Sequence, residues 1–185
     1  MKIAGWLAMA SAFLTLPIVY LSLRLEGMHN SYADIIQTLI KAAGTLLFLA
    51  IILCLKRLLN TAFNFHDTDR TIDFMLIAST VTGILSIVMF SFPELKESIQ
   101  SAVIVILVAL GIVQAQFGYR LLKLSNDLGG LLKPFCYANM ATGIFLASVV
   151  LMPLSIIVSA LSDLMLGTIF FNISRLTRTD GSDQR

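Results

Sequence analysis

Charge is the scarcest component of this sequence. Asp, Glu, Lys and Arg together make up 13% of its 185 residues, about half the share found in a soluble domain. That scarcity excludes an ordinary water-soluble domain and a disordered chain, both of which rely on charge to stay solvated. The net charge of +2 leaves no electrostatic footprint for nucleic acid. Histidine and cysteine number two each. Neither histidine lies in an apolar stretch, which argues against intramembrane haem or quinone chemistry and against an intramembrane serine protease. No Walker glycine loop, His-Glu-x-x-His pair, Cys-x-x-Cys pair or Gly-x-Ser-x-Gly elbow occurs. His66-Asp67-Thr68-Asp69 holds metal-capable groups, but crowded into one loop they fix no coordination geometry and read as a solvated acidic turn. His29 stands alone. The sequence therefore predicts no enzyme, no metal site and no cofactor.

What is abundant is apolar sequence, 57% of the chain, with a mean hydropathy of +0.88. A membrane-spanning helix needs about 20 mostly apolar residues. Residues 3–23, 39–55, 72–92 and 99–117 each supply one. The stretch 135–173 is too long for one span, and Pro153 suits the start of a helix better than its interior. Splitting there gives spans at 135–152 and 154–172. The expected fold is all-α, a polytopic integral membrane protein with six transmembrane helices arranged as three helical hairpins. One bundle covers 1–173, and a short polar tail follows at 174–185. The intervening loops are too short to bury a core of their own. Ala8-Met9-Ala10 resembles a signal cleavage site, but too few apolar residues precede it, so 3–23 reads as an uncleaved first span.

The positive charges test this count independently, because cytoplasmic loops are enriched in Lys and Arg. Six spans place Lys2, Lys56, Arg57, Arg70, Arg120, Lys123, Lys133, Arg175, Arg178 and Arg185 on one side and Arg24, Lys41 and Lys96 on the other, ten against three. Five spans would give seven against six. Both termini are therefore expected in the cytoplasm, most simply of a bacterial inner membrane. Lys123 and Lys133 are placed to rest on anionic lipid headgroups. Cys54 and Cys136 both fall near the cytoplasmic side and read as buried small residues without a disulfide.

Polar groups inside the spans carry the remaining information. Asp163 lies about 13 Å into the sixth span, close to the middle of a hydrocarbon core ~30 Å thick. A charged Asp at that depth costs at least about 2.5–3.5 kcal/mol, so it should face the bundle interior. Lys41 on span two is a candidate partner if its side chain bends inward. Gln114 on span four and Asn139 on span five fall at similar depth, and a hydrogen bond between them is expected. With Thr142 these residues outline a discontinuous polar path from Asp163 toward the cytoplasm. Ser155, Ser159, Asp163 and Gly167 recur every four residues, forming one stripe on span six. Gly83, Gly143 and the alanines Ala4, Ala8 and Ala12 form further small-residue ridges of the kind that let helices pack closely.

A weak internal repeat is also present. At an offset of 60, Ala78, Thr82, Gly83, Ile84 and Pro93 align with Ala138, Thr142, Gly143, Ile144 and Pro153. Arg57-Leu58-Leu59 and Arg120-Leu121-Leu122 match once a short gap is allowed. Two functions are consistent with these features. The first is a non-enzymatic accessory or structural membrane protein that packs, through its ridges, with a copy of itself or another membrane subunit. The second is a small transporter or channel for a proton, cation or small solute that uses Asp163.

Overall fold

The computed structural model describes residues 2–26, 31–124 and 127–179. These form six α-helices: α1 (Lys2–Glu26), α2 (Ser31–Phe63), α3 (Asp69–Ser91), α4 (Lys96–Leu121), α5 (Leu132–Ala147) and α6 (Met152–Thr179). Single 3₁₀ turns at Pro93–Leu95 and Leu128–Gly130 precede α4 and α5. The described residues contain no strand. An all-helical chain is what hydrocarbon demands, since each backbone group must then be paired within its own segment. Five of the helices, all but α5, are long and apolar enough to cross a membrane.

The helices overrun the apolar stretches in most places. α2 has 33 residues and takes in Lys56, Arg57 and Asn60 before ending at Phe63, just short of Asn64 with its φ of 48°. Apolarity marks where lipid would be, whereas the backbone stops where its geometry breaks. The first part of the expected polar tail is likewise helical, because α6 continues to Thr179. Residues 180–185, His29, and Ser125 and Asn126 of the fourth loop lie outside the described residues.

The exception is α5, which ends at Ala147 and not at residue 152. Its 16 residues extend roughly 24 Å, less than the ~30 Å of a hydrocarbon core. The break comes before Pro153 because Ser148 makes a turn of its own. Its hydroxyl donates to the Phe145 carbonyl at 2.9 Å and accepts from the Leu151 amide at 3.2 Å. Val149 then takes a positive φ of 57°. Pro153 sits in the first turn of α6, where its missing N–H removes no helical bond.

Each helix packs against its neighbours in sequence, and α1 closes against α6 to complete a ring. The ring is continuous, so packing alone does not divide it into three hairpins. α1 and α6 run antiparallel, with Gly5 beside Phe171, Met9 beside Gly167 and Ser11 beside Asp163. The start of α1 and the end of α6 therefore share one end of the ring, called here the termini end. α2 and α3 are also antiparallel, joined by Lys56–Asp73, Asn60–Asp69 and the approach of Thr45 to Gly83.

The tightest helix contact is α4 on α5. A Cβ on Gly143 would stand 2.5 Å from the Ala115 amide nitrogen and the Gly111 carbonyl oxygen. One on Gly118 would stand 2.7 Å from the Cys136 carbonyl oxygen. Small residues on both helices thus bring backbone onto backbone. The repeat has a structural counterpart. Thr82 and Thr142 donate to the carbonyls of Ala78 and Ala138, at 2.9 and 2.8 Å. Gly83 and Gly143 each face the helix before their own.

Burial is concentrated at the termini end. Leu58 and Leu59 of α2, Ile72 of α3, Leu121 of α4 and Ile169 of α6 are fully buried there. Leu124 and Leu128 of the α4–α5 connection and Leu132 at the start of α5 fold in beside them. Gly129 and Gly130, with φ of 72° and 83°, permit that fold-back. In the opposite half burial is sparser: Ile99, Thr142, Gly143, Ser155 and Ala160 are buried there, and most other described residues are half-buried or exposed.

Candidate functional site

Where the packed half of the ring ends, five helices surround a void of about 30 Å³. Most of its wall is apolar: Phe48, Ile51, Ile52 and Leu55 from α2, Met75 from α3, Phe117 from α4, Phe135 from α5 and Leu166 from α6. Five polar side chains complete it. Gln114 comes from α4, Asn139 from α5, and Ser159, Ser162 and Asp163 from α6. We refer to this void as the chamber.

The polar groups are only partly satisfied by one another. Ser11 of α1 donates to Asp163 Oδ2 at 2.7 Å. Asn139 Nδ2 donates to its own helix at Phe135 O, 3.0 Å, and across to Ser162 Oγ, 2.9 Å. The expected bond between Gln114 and Asn139 is therefore not made, because both amide hydrogens of Asn139 are engaged elsewhere. Gln114 has no hydrogen-bond partner among the described residues. Asp163 has no ion-pair partner among them either. The two ion pairs found are Lys56–Asp73 and His66–Asp69, both outside the chamber.

Of the residues singled out from the sequence, Asp163, Asn139 and Gln114 meet at the chamber, and two do not. Thr142 is buried but its hydroxyl is spent on the Ala138 carbonyl. Lys41 is exposed, two turns beyond Phe48 along α2, roughly 10 Å from the chamber level. From the bundle surface its ammonium reaches the membrane interface more cheaply than the level of the chamber. The packing candidates also separate. Gly143 meets α4 backbone, Gly167 meets Met9 and the Gly5 carbonyl of α1, and Gly83 meets only the Thr45 side chain. Ser159 lines the chamber. Ser11 and Ser162 were not anticipated. Ser11 sits beside the Ala8 and Ala12 ridge of α1, and depth counted from the termini end would have matched it to Asp163.

The loop residues form a second polar cluster at the termini end. Asp69 accepts from Asn60 at 3.0 Å and lies 3.1 Å from His66 Nδ1. Arg120 donates to the Asp67 carbonyl at 3.1 Å, tying the α2–α3 turn to α4. No group of three metal-capable side chains occurs among the described residues. Cys54 is half-buried and Cys136 buried, and both are free thiols.

Neither a known protein family, nor a characterised protein, nor a solved structure matches the chain. The chamber geometry is what bears on function.

Proposed function

We propose that this chain is a six-span protein of a bacterial inner membrane, with both termini in the cytoplasm, that conducts or transports a small cation by way of Asp163. The observation that carries this reading is an acidic side chain without a cationic partner among the described residues, lining a void shared with four neutral polar groups. Ionisable residues inside spans are costly and mark ion and proton pathways. Transporter sites lie near the membrane midplane, between helices. The ten-against-three division of Lys and Arg supports the orientation. α5, though short, supplies the sixth crossing with the turns at its two ends.

The competing role, packing with a copy or another subunit, drew on the small-residue ridges. Two of those ridges have contacts within the chain, Gly143 with α4 and Gly167 with α1, and this weighs toward the transport reading. The test is cation flux in proteoliposomes under imposed sodium, potassium and proton gradients. Wild type is expected to show flux for at least one of these ions. Asp163→Asn, which keeps an acceptor for Ser11, is expected to abolish it while the protein still elutes as a folded species. Absence of flux for all three ions, or full flux in the variant, refutes the proposal.

A further inference from the structure

We infer that the chamber is a binding site for one dehydrated monovalent cation of the sodium class. This rests on the cation-handling reading of the chamber and names the ion. The first support is the donor set. The lining offers a carboxylate from Asp163, amide oxygens from Gln114 and Asn139, and hydroxyl oxygens from Ser159 and Ser162. Hard cations are held by oxygen, whereas imidazole and thiolate favour transition metals. Among the described residues no His or Cys lines the void, and the one sulfur there is that of Met75.

The second support is the direction of the amides. Both Nδ2 hydrogens of Asn139 are used, on Phe135 O and Ser162 Oγ, which leaves Oδ1 as its free acceptor. The Gln114 amide is unpartnered among the described residues and able to turn its oxygen to a guest. Asp163 has Ser11 on one oxygen and keeps the other open.

Charge and size then narrow the guest. One carboxylate with no Lys or Arg paired to it among the described residues balances a single positive charge. A divalent ion would leave an uncompensated charge in the low-dielectric interior. The void of about 30 Å³ holds about two water-sized guests. That is room for a bare ion with one water.

The test is thermal unfolding of the purified full chain in detergent. The probe is the fluorescence of Trp6, which packs edge-on against Phe171 at 5.6 Å across the α1–α6 contact. NaCl, KCl, CaCl₂ and choline chloride are compared at constant ionic strength. Sodium at ten times its dissociation constant is expected to raise the midpoint by about 3 °C or more. Choline and calcium should leave it unchanged, and potassium should act more weakly. Asp163→Asn, Gln114→Leu and Ser159→Ala are each expected to lose the sodium response, and the last two keep the test alive if the first fails to fold. No sodium response, an equal response to choline, or a response that survives in Gln114→Leu overturns the inference. Proton flux in liposomes without any sodium effect would keep the transport proposal and remove this site. A sodium response without flux would do the reverse.

Discussion

Gly143 and Gly44 are both helical glycines, and their surroundings give them opposite roles. A Cβ on Gly143 would meet backbone atoms of α4 at 2.5 Å, and backbone does not yield as a side chain does. A Cβ on Gly44 would meet nothing within 4 Å. Gly143→Ala is therefore expected to push α4 and α5 apart and destabilise the protein by about 1–3 kcal/mol. Gly44→Ala should be neutral or stabilising by up to about 1 kcal/mol, from helix propensity alone. Thermal unfolding of the two variants in one detergent checks this, and equal midpoints would contradict the close-contact account. The same contrast explains which residues could be found from sequence. Asp163, Gln114 and Asn139 stand out because a carboxylate or amide in an apolar run has to find something to do. Ser11 and Ser162 do not stand out, because helical hydroxyls readily satisfy themselves on the preceding turn. Thr15 does so on the Ser11 carbonyl at 2.7 Å and Thr168 on that of Leu164 at 3.0 Å. Nothing in the sequence separates a hydroxyl that bonds its own helix from one that reaches another. The Lys41 reading failed for a related reason, since spacing along one helix does not report which way a long side chain leaves it.

Among the elements, the α5–α6 turn is where sequence and structure part most clearly. Ser148-Val149-Val150-Leu151 is almost as apolar as the helices it joins, so hydropathy runs straight through it. Pro153 is the visible break in the sequence, yet it marks the start of α6 and the reversal precedes it. The device that makes the turn is the Ser148 hydroxyl, with Val149 held at φ 57°. A β-branched residue in the left-handed region is strained, at a cost of order 1–3 kcal/mol. Val149→Gly should relieve part of that strain and raise the unfolding midpoint, whereas Ser148→Ala, which removes both turn bonds, should lower it. A lowered midpoint for Val149→Gly would mean that the valine side chain contributes more through contact than its backbone loses. The paired ridges of α3 and α5 were legible as a repeat because their threonines, glycines and following prolines recur in register. The overrun of α2 was not, because charge ends a membrane span without ending a helix.

At the scale of the whole ring, the asymmetry of packing sets the side from which the chamber can be reached. Toward the termini end the chamber is backed by fully buried Leu58, Leu59, Ile72, Leu121 and Ile169, by Leu124 and Leu128 of the α4–α5 connection, and by Leu132 at the start of α5. A cation crossing that layer would have to leave water and displace close-packed side chains, which interiors resist. Toward the other end burial among the described residues is sparser and consists chiefly of Ile99 and of small residues of α4–α6, Gly111, Thr142, Gly143, Ser155 and Ala160. Among the described residues α1 has no buried side chain after Ala12, α2 none before Ile51 and α3 none after Ala78. Water and ions are therefore expected to reach the chamber from the end opposite the termini in this conformation. Ser159→Cys in a background carrying Cys54→Ser and Cys136→Ala tests the point, because Ser159 lines the chamber on its less packed side. A small, membrane-impermeant cationic thiol reagent added to that face of oriented vesicles should modify the cysteine faster than the same reagent added to the termini face. Equal rates from both faces would mean that the leucine layer is not a seal. Faster reaction from the termini face would reverse the assignment and require the ring to open through its most buried contacts.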